Sequence, residues 1–448
     1  MTTLTALIVT VFIIGYLCIA LESVTKVNKA PVALLMFVAV WTLYMICPSQ
    51  YVPGVAHEQM AQAVSGIIER HLGSTATTLF FLMGAMTVVE VVDQNGGFNW
   101  VKNVMRTKSK RALLWRIAFM TFFLSAILDN LTTSIVMIMI LRKLVSEHKD
   151  RIVYAALVII AANAGGAFSP IGDVTTIMLW NANMISAAGV ITELLVPSIA
   201  ALVIPGLIMQ TMLKGTLADA GESSSTSVET GDFSDRQRKA VFILGVGGLI
   251  FVPVFKTNTH LPPFVGVLLV LGLLWTVTEI FYRNLSKEAS DGGMKKRVSR
   301  LLSRIDITTI LFFLGILMAV ACLEEVGVLS MLGSTLNTTF NGNRYIVTGI
   351  IGLLSSIVDN VPLVAGCMGM YPVAEIGDFA TDGIFWQLLA YCAGVGGSIL
   401  IIGSAAGVVV MGLEKITFGW YMKHVSWIAL VGYLAGMVCY WLIKSFVF

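Results

Sequence analysis

The chain has 448 residues, 57% of them hydrophobic and only 12% charged. Soluble domains carry roughly 25% charged residues, so this composition excludes a protein that is stable without lipid around it. The net charge of +3 comes from basic residues placed between apolar runs and gives no nucleic-acid surface.

The apolar runs predict helices over 4–21, 29–47 and 75–93, with 57–71 (HEQMAQAVSGIIERH) as a surface helix on the outer face. A pair, 112–127 and 131–146, flanks Asp129–Asn130. The run 152–187 is interrupted by AGGAFSPIGD, and 191–213 closes the first half. The second half repeats this order: 239–255, 262–282, 305–325, a pair 345–357 and 361–374, an interrupted run 384–414, and 424–443. No strand-like alternation extends over ten residues, which indicates a helical bundle rather than a barrel. The first run lacks a preceding basic residue and a cleavage motif, so it reads as a retained helix. Two polar stretches, 215–235 and 284–304, read as solvated connections. The six cysteines are scattered singly and read as small core residues. The five histidines fall in loops or at predicted helix ends. A metal cluster is therefore not expected, and proton chemistry inside the membrane falls on carboxylates.

The chain repeats itself. SAILDN at 125–130 returns as SSIVDN at 355–360, LFFL at 79–82 as LFFL at 311–314, and Gly165–Gly166 as Gly396–Gly397. A repeat of this length in an apolar chain marks a secondary transporter built from two related halves. The expected division is a first repeat at 1–213, a cytoplasmic linker at 214–238 and a second repeat at 239–448. If each Asp-Asn pair of arms is a re-entrant hairpin, each half has five crossings and the repeats are inverted. With both termini outside, 25 of the 29 Lys and Arg fall in the cytoplasm, leaving Arg70, Lys256, Arg344 and Lys444 outside. The expected fold class is thus an all-α integral membrane protein of two inverted repeats, each with a re-entrant hairpin and a discontinuous helix.

An ionised Asp at mid-membrane costs at least ~2.5–3.5 kcal/mol on insertion scales. Asp129 and Asp359 nevertheless stand at the predicted hairpin tips. Asn130, Asn360, Thr132, Thr133 and freed carbonyls join them as hard oxygen donors of the kind Na⁺ and Li⁺ prefer. A single Asp-Asn could merely cap a helix; two symmetric copies between apolar arms argue for a site. The interrupted stretch 162–176 adds Asn163, Asp173, Thr175 and Thr176. Its counterpart keeps Ser398 and Ser404, with Ser404 where Asp173 stood, so the site is asymmetric. Ser125 and Ser355 supply further hydroxyls, and Glu90 is an accessory candidate on the third span. The Na⁺ ligands expected are Asp129, Asp173 and Asp359, with Asp173 and Asp129 as the carriers that proton and cation share. An intramembrane aspartyl protease would need YD and GxGD contexts, which are absent, and a passive channel does not call for inverted hairpins. The chain reads as a carrier and not an enzyme.

SAILDNLTTS (125–134), ANAGGAFSPIGDVTT (162–176) and SSIVDNVP (355–362) together resemble the NhaD-type sodium/proton antiporters of the ion transporter superfamily. The resemblance covers essentially the whole chain. It implies exchange of cytoplasmic Na⁺ or Li⁺ for external H⁺ without a cofactor. It also implies the fold shared with dicarboxylate/sodium symporters, a homodimer, and a place in the bacterial inner membrane, with the lipid bilayer and small cations as partners. Those symporters carry Ser-Asn-Thr at both tips; Asp-Asn here would repel a dicarboxylate. An arsenite or other small-ion permease of the same superfamily is the alternative.

Overall fold

The computed structural model describes residues 2–20, 27–105, 107–213, 215–216, 233–285, 302, 305–357 and 359–446. Most of the two polar connections predicted at 215–235 and 284–304, and most of the linker 214–238, lie outside them. The chain runs through α1 (Thr3–Ala20), α2 (Lys29–Ile46), α3 (Met60–Gln94), α4 (Asn99–Met105), α5 (Lys110–Leu128), α6 (Asn130–Leu144), α7 (His148–Ala167), α8 (Val174–Asn181) and α9 (Ala187–Met209). The second half holds α10 (Asp235–Thr259), α11 (Pro263–Leu285), α12 (Ile307–Glu325), α13 (Val328–Thr339), α14 (Arg344–Ser355) and α15 (Asn360–Met370). It closes with α16 (Ile384–Gly396), α17 (Ala405–Glu414), α18 (Phe418–His424) and α19 (Ser426–Phe446). Among the described residues, nine helices are long and apolar enough to cross a membrane. None of these residues forms a strand; two isolated bridges are the only β pairings.

Ion pairs locate the ends of the bundle. Lys110, which opens α5, lies 2.5 Å from Asp150 and 4.0 Å from Glu147, just beyond α6. Helices α5 and α6 therefore enter and leave at one end, and the chain reverses at Asp129. Arg344, which opens α14, lies 3.4 Å from Asp378 and 4.4 Å from the Phe379 ring. Tyr371, just after α15, stacks on that ring at 4.7 Å. So α14 and α15 also form a hairpin.

The broken helices join the two ends. Helix α7 begins beside Lys110, and α8 leads to Ser186, whose N–H donates to Asp382 Oδ1 at 2.7 Å. Helix α16 begins just after Asp382, and α17 ends at Glu414. That carboxylate, fully buried, accepts from Arg142 Nε at 2.7 Å and Arg151 Nε at 2.6 Å, beside the mouth of the first hairpin. The two broken helices thus run in opposite directions, and the two hairpins open at opposite ends. The halves are inverted copies.

The broken helices are the core. Every residue from Val153 to Ala167 on α7, and from Phe385 to Gly396 on α16, is buried. Each accepts its hairpin arm through the same contact. Ser125 donates to the Ala162 carbonyl at 2.6 Å, and Ser355 to the Ala393 carbonyl at 2.7 Å. A Cβ on Gly165 would stand 2.1 Å from the Phe122 carbonyl oxygen, and one on Gly396 2.1 Å from that of Gly352. Only glycine allows the backbones to close to this distance.

The structure corrects three sequence expectations. The surface helix at 57–71 is instead the first third of α3, a single helix of 35 residues. At 1.5 Å per residue it is about 50 Å long and outreaches the hydrocarbon core. Nothing between Met60 and Gln94 breaks it, and Arg70 and His71 both meet Glu325, at 2.8 and 2.7 Å. His71 consequently lies within a helix, not in a loop or at a helix end. The short helices α4, α13 and α18 were not anticipated, because each is too short to give a long apolar run.

The glycine contacts predict that Gly165→Ala and Gly396→Ala each lower stability by about 1–3 kcal/mol, the usual cost of overpacking. Gly73→Ala, with nothing within 4 Å of its added Cβ, should be neutral or slightly stabilising. Thermal unfolding of the detergent-solubilised protein reads this difference; equal effects at all three positions would contradict the packing account.

Candidate functional site

Four helices begin at the two hairpin tips and the two helix breaks, and each begins with a polar N-cap. Asp129 accepts from the Thr132 N–H at 2.8 Å, Asp173 from the Thr175 N–H at 3.2 Å, Asp359 from the Val361 N–H at 3.4 Å, and Ser404 from the Gly407 N–H at 3.2 Å. The capping role and the site role therefore coincide. Capping explains how such residues are tolerated here, since each satisfies an otherwise free backbone donor.

Side chains from both halves meet at Asp173, which is only 1% exposed. Asn130 Nδ2 donates to Asp173 Oδ2 at 2.9 Å and to Asn163 Oδ1 at 3.1 Å. Asn360 Nδ2 donates to both Asp173 oxygens, at 3.2 and 3.1 Å. Asn163 Nδ2 donates to Ser404 Oγ at 3.0 Å. Asp129 and Asp359 both lie within electrostatic reach of Asp173. The buried hydroxyl of Thr133 makes no hydrogen bond to the described residues, while that of Thr175 faces the Asp173 carboxylate.

The other predicted residues divide. Thr132 Oγ1 binds its own cap, Asp129 Oδ2, at 2.8 Å. Thr176 Oγ1 donates to the Asp173 carbonyl at 2.9 Å. Ser125 and Ser355 spend their hydroxyls on the broken-helix carbonyls described above, and Ser398 donates to the Val395 carbonyl at 2.6 Å. These three hold backbone, outside the cluster of side chains. Glu90 is half-buried near the C-terminal end of α3.

Sequence reasoning missed Lys29. Counted only among the cytoplasmic cations at the start of the 29–47 helix, it reaches Asp359 Oδ2 at 2.8 Å and lies 4.1 Å from the centre of the Phe312 ring. A signal existed: it is a basic residue at the very start of an apolar run, and the chain carries no counterpart at the start of α11. Tyr16 is a second omission; its buried hydroxyl lies near Asp359 without a hydrogen-bond partner among the described residues.

Asp129 pays for its position with backbone strain. Its φ of 81° and ψ of 158° fall in a region nearly reserved for glycine, at a cost of about 1–3 kcal/mol. Asp359, with φ −49°, is relaxed. The electrostatics follow from the helix ends. The positive ends of α6, α8, α15 and α17 meet the negative ends of α5, α7, α14 and α16, and their partial charges oppose one another. What remains is carried by side chains. With all of them ionised, Asp129, Asp173 and Asp359 outweigh Lys29 by two negative charges.

Oppositely oriented hairpins and broken helices around a shared anionic centre define a multi-pass membrane transporter. A family model described as citrate transporter matches residues 16–389. Sodium/proton antiporter 1 of Arabidopsis thaliana is 43% identical over 430 residues, covering 96% of this chain and 71% of that protein. The Na(+)/H(+) antiporter NhaD of Vibrio cholerae is 30% identical over 461 residues, covering 97% and 91%. The chain belongs to this family, the NhaD-type sodium/proton antiporters. In fold it is similar to the YdaH transporter of Alcanivorax borkumensis, with a TM-score of 0.59 at 14% identity, covering 93% of this chain and 99% of that one.

The shared carboxylate generates a test. Asn130→Ala and Asn360→Ala each remove a donor to a charged acceptor, with an expected cost of about 1.5–3 kcal/mol. Because both serve Asp173, the loss in the double variant should differ from the sum of the two. Additive losses in melting temperature would show that the two amides do not share that carboxylate.

Proposed function

We propose that the protein exchanges cytoplasmic Na⁺ or Li⁺ for external H⁺, and that Asp129 and Asp173 carry the exchanged charge. One observation carries this reading: a cluster built from both halves sets three carboxylates against one ammonium, so with all of them ionised two negative charges are unmatched. Buried charge needs a partner, and on a carboxylate that partner is a proton or a small cation. The two compete for the same oxygens, so loading one releases the other. Asn163, Thr175 and Ser404 supply neutral oxygens for a hard cation, and the amides of Asn130 and Asn360 hold the Asp173 carboxylate in place. The names of the bacterial and plant relatives agree with this substrate pair.

The description attached to the matching family model, a citrate transporter, does not fit the centre. Three carboxylates against one ammonium repel an anion. The same argument disfavours an oxyanion permease.

The inverted halves support alternating access, with each hairpin closing one end in turn. The proposed division is 1–213, 214–238 and 239–448. Charge orients the bundle. The mouth of the first hairpin carries Lys110, Arg142 and Arg151, and by the positive-inside rule it faces the cytoplasm. Both termini then face outside, across a bacterial inner membrane. The exposed apolar side chains Ile250, Phe251, Leu269 and Leu273 on α10 and α11 are available to lipid or to a second copy in a homodimer.

Everted vesicles containing the protein test the reading. Na⁺ or Li⁺ added to a preformed pH gradient should dissipate it, increasingly as the pH on the cytoplasmic face rises, because deprotonated carboxylates bind Na⁺ better. Asp173→Asn and Asp129→Asn keep size and one oxygen but cannot titrate, so both should abolish the response. Wild-type dissipation with an unchanged pH profile in both variants would rule the mechanism out.

A further inference from the structure

The second tip differs from the first in one respect that the exchange reaction alone does not require. Asp129 has a backbone N–H and a hydroxyl as partners, both from Thr132. Asp359 has an ammonium, with Lys29 Nζ 2.8 Å away. Lys29 opens α2, at the positive end of the helix, where a cation is disfavoured. A lysine at the end of a membrane helix ordinarily extends its stem toward the headgroups. Here it turns inward, over the face of Phe312 at 4.1 Å, to reach a hairpin tip 330 residues away in sequence. The corresponding second helix of the other half, α11, begins at Pro263.

We infer that Lys29 is a built-in counter-cation that fills the Asp359 position and so limits the exchange site to two positive charges. This inference rests on the sodium/proton reading above and deepens it. Three carboxylates without Lys29 would present three vacancies. With it, Asp359 stays ionised and neutralised, and its charge is fixed throughout the cycle. The two unpaired carboxylates, Asp129 and Asp173, are left to exchange their cargo. Among the described residues, Tyr16 from α1 and Asp173 from the break between α7 and α8 also face Asp359; neither supplies a cation. The positive end of α15, which Asp359 caps, adds only a partial charge. Lys29 is a positioning residue: it acts through Asp359 and does not contact the transported ion.

The test compares wild type, Lys29→Arg, Lys29→Met and the double variant Lys29→Met/Asp359→Asn in proteoliposomes. Two quantities are read: the initial Na⁺-driven proton flux, and the H⁺:Na⁺ coupling ratio from the voltage at which net flux stops. Lys29→Met leaves Asp359 as an unpaired, largely desolvated charge and should reduce flux about tenfold or more, or change the coupling ratio. The double variant removes both charges and should regain at least about a third of the wild-type flux at the wild-type ratio, since a charge-paired unit is coupled in such a cycle. Lys29→Arg should keep the wild-type ratio. Wild-type flux and ratio in Lys29→Met would overturn the inference. So would a double variant that elutes as a folded species yet stays as impaired as Lys29→Met, because Asp359 would then itself be a carrier. If the double variant does not fold, an altered coupling ratio in Lys29→Arg overturns the inference and an unaltered one supports it. Absence of Na⁺-driven flux in wild type would refute the exchange reading instead, and is distinguishable from every variant outcome.

Discussion

A helix broken inside lipid leaves free N–H groups on one side of the break and free carbonyls on the other, with no water to satisfy them. This chain breaks two helices and reverses two hairpins at the same depth, and the rest of the structure follows from how those ends are satisfied. The N–H groups are taken by Asp129, Asp173, Asp359 and Ser404. Bringing equal numbers of helix starts and helix ends together opposes their partial charges, so full charges on side chains decide what the centre attracts. The carboxylates are therefore caps first, and the ion site proposed above draws on the same groups.

The scaffold around the centre keeps it from collapsing. Gly165 and Gly396 let each hairpin arm touch a broken helix at backbone distance, while the ends are tied by charge. At the basic end Glu414 holds Arg142 from α6 and Arg151 from α7. At the other end Glu193 on α9 holds Lys444 at 2.8 Å and Tyr440 at 3.0 Å from α19. Glu414 closes the C-terminal end of a broken helix against the mouth of the first hairpin, a contact that must change if that mouth opens.

Much of this was legible in the sequence, for physical reasons. The SAILDN and SSIVDN echo, the paired glycines and the interrupted runs gave the inverted architecture, because a transporter assembled from repeated halves must break and turn at matching places. The Asp-Asn pairs and Asp173 were legible because an unexplained carboxylate in an apolar run is rare. The hydroxyls were less so. Ser125, Ser355 and Ser398 looked like ligands by position, but a buried hydroxyl bonds the nearest free carbonyl, and the helix breaks supply several. Lys29 was invisible to a rule that reads basic residues as markers of the cytoplasmic face. Its partner lies in the other half of the chain, and only the fold brings them together. The continuity of α3 was hidden by the polar stretch around Arg70 and His71, which reads as interfacial until Glu325 is placed beside it.

The central claim is that cation and proton compete for one anionic centre. Calorimetric titration of the purified protein with NaCl, in two buffers of different ionisation enthalpy at the same pH, measures it without any transport step. The account predicts that Na⁺ binding releases protons from the wild type, and that Asp173→Asn abolishes the release. Sodium binding of ordinary saturable form with no proton release from the wild type would contradict it.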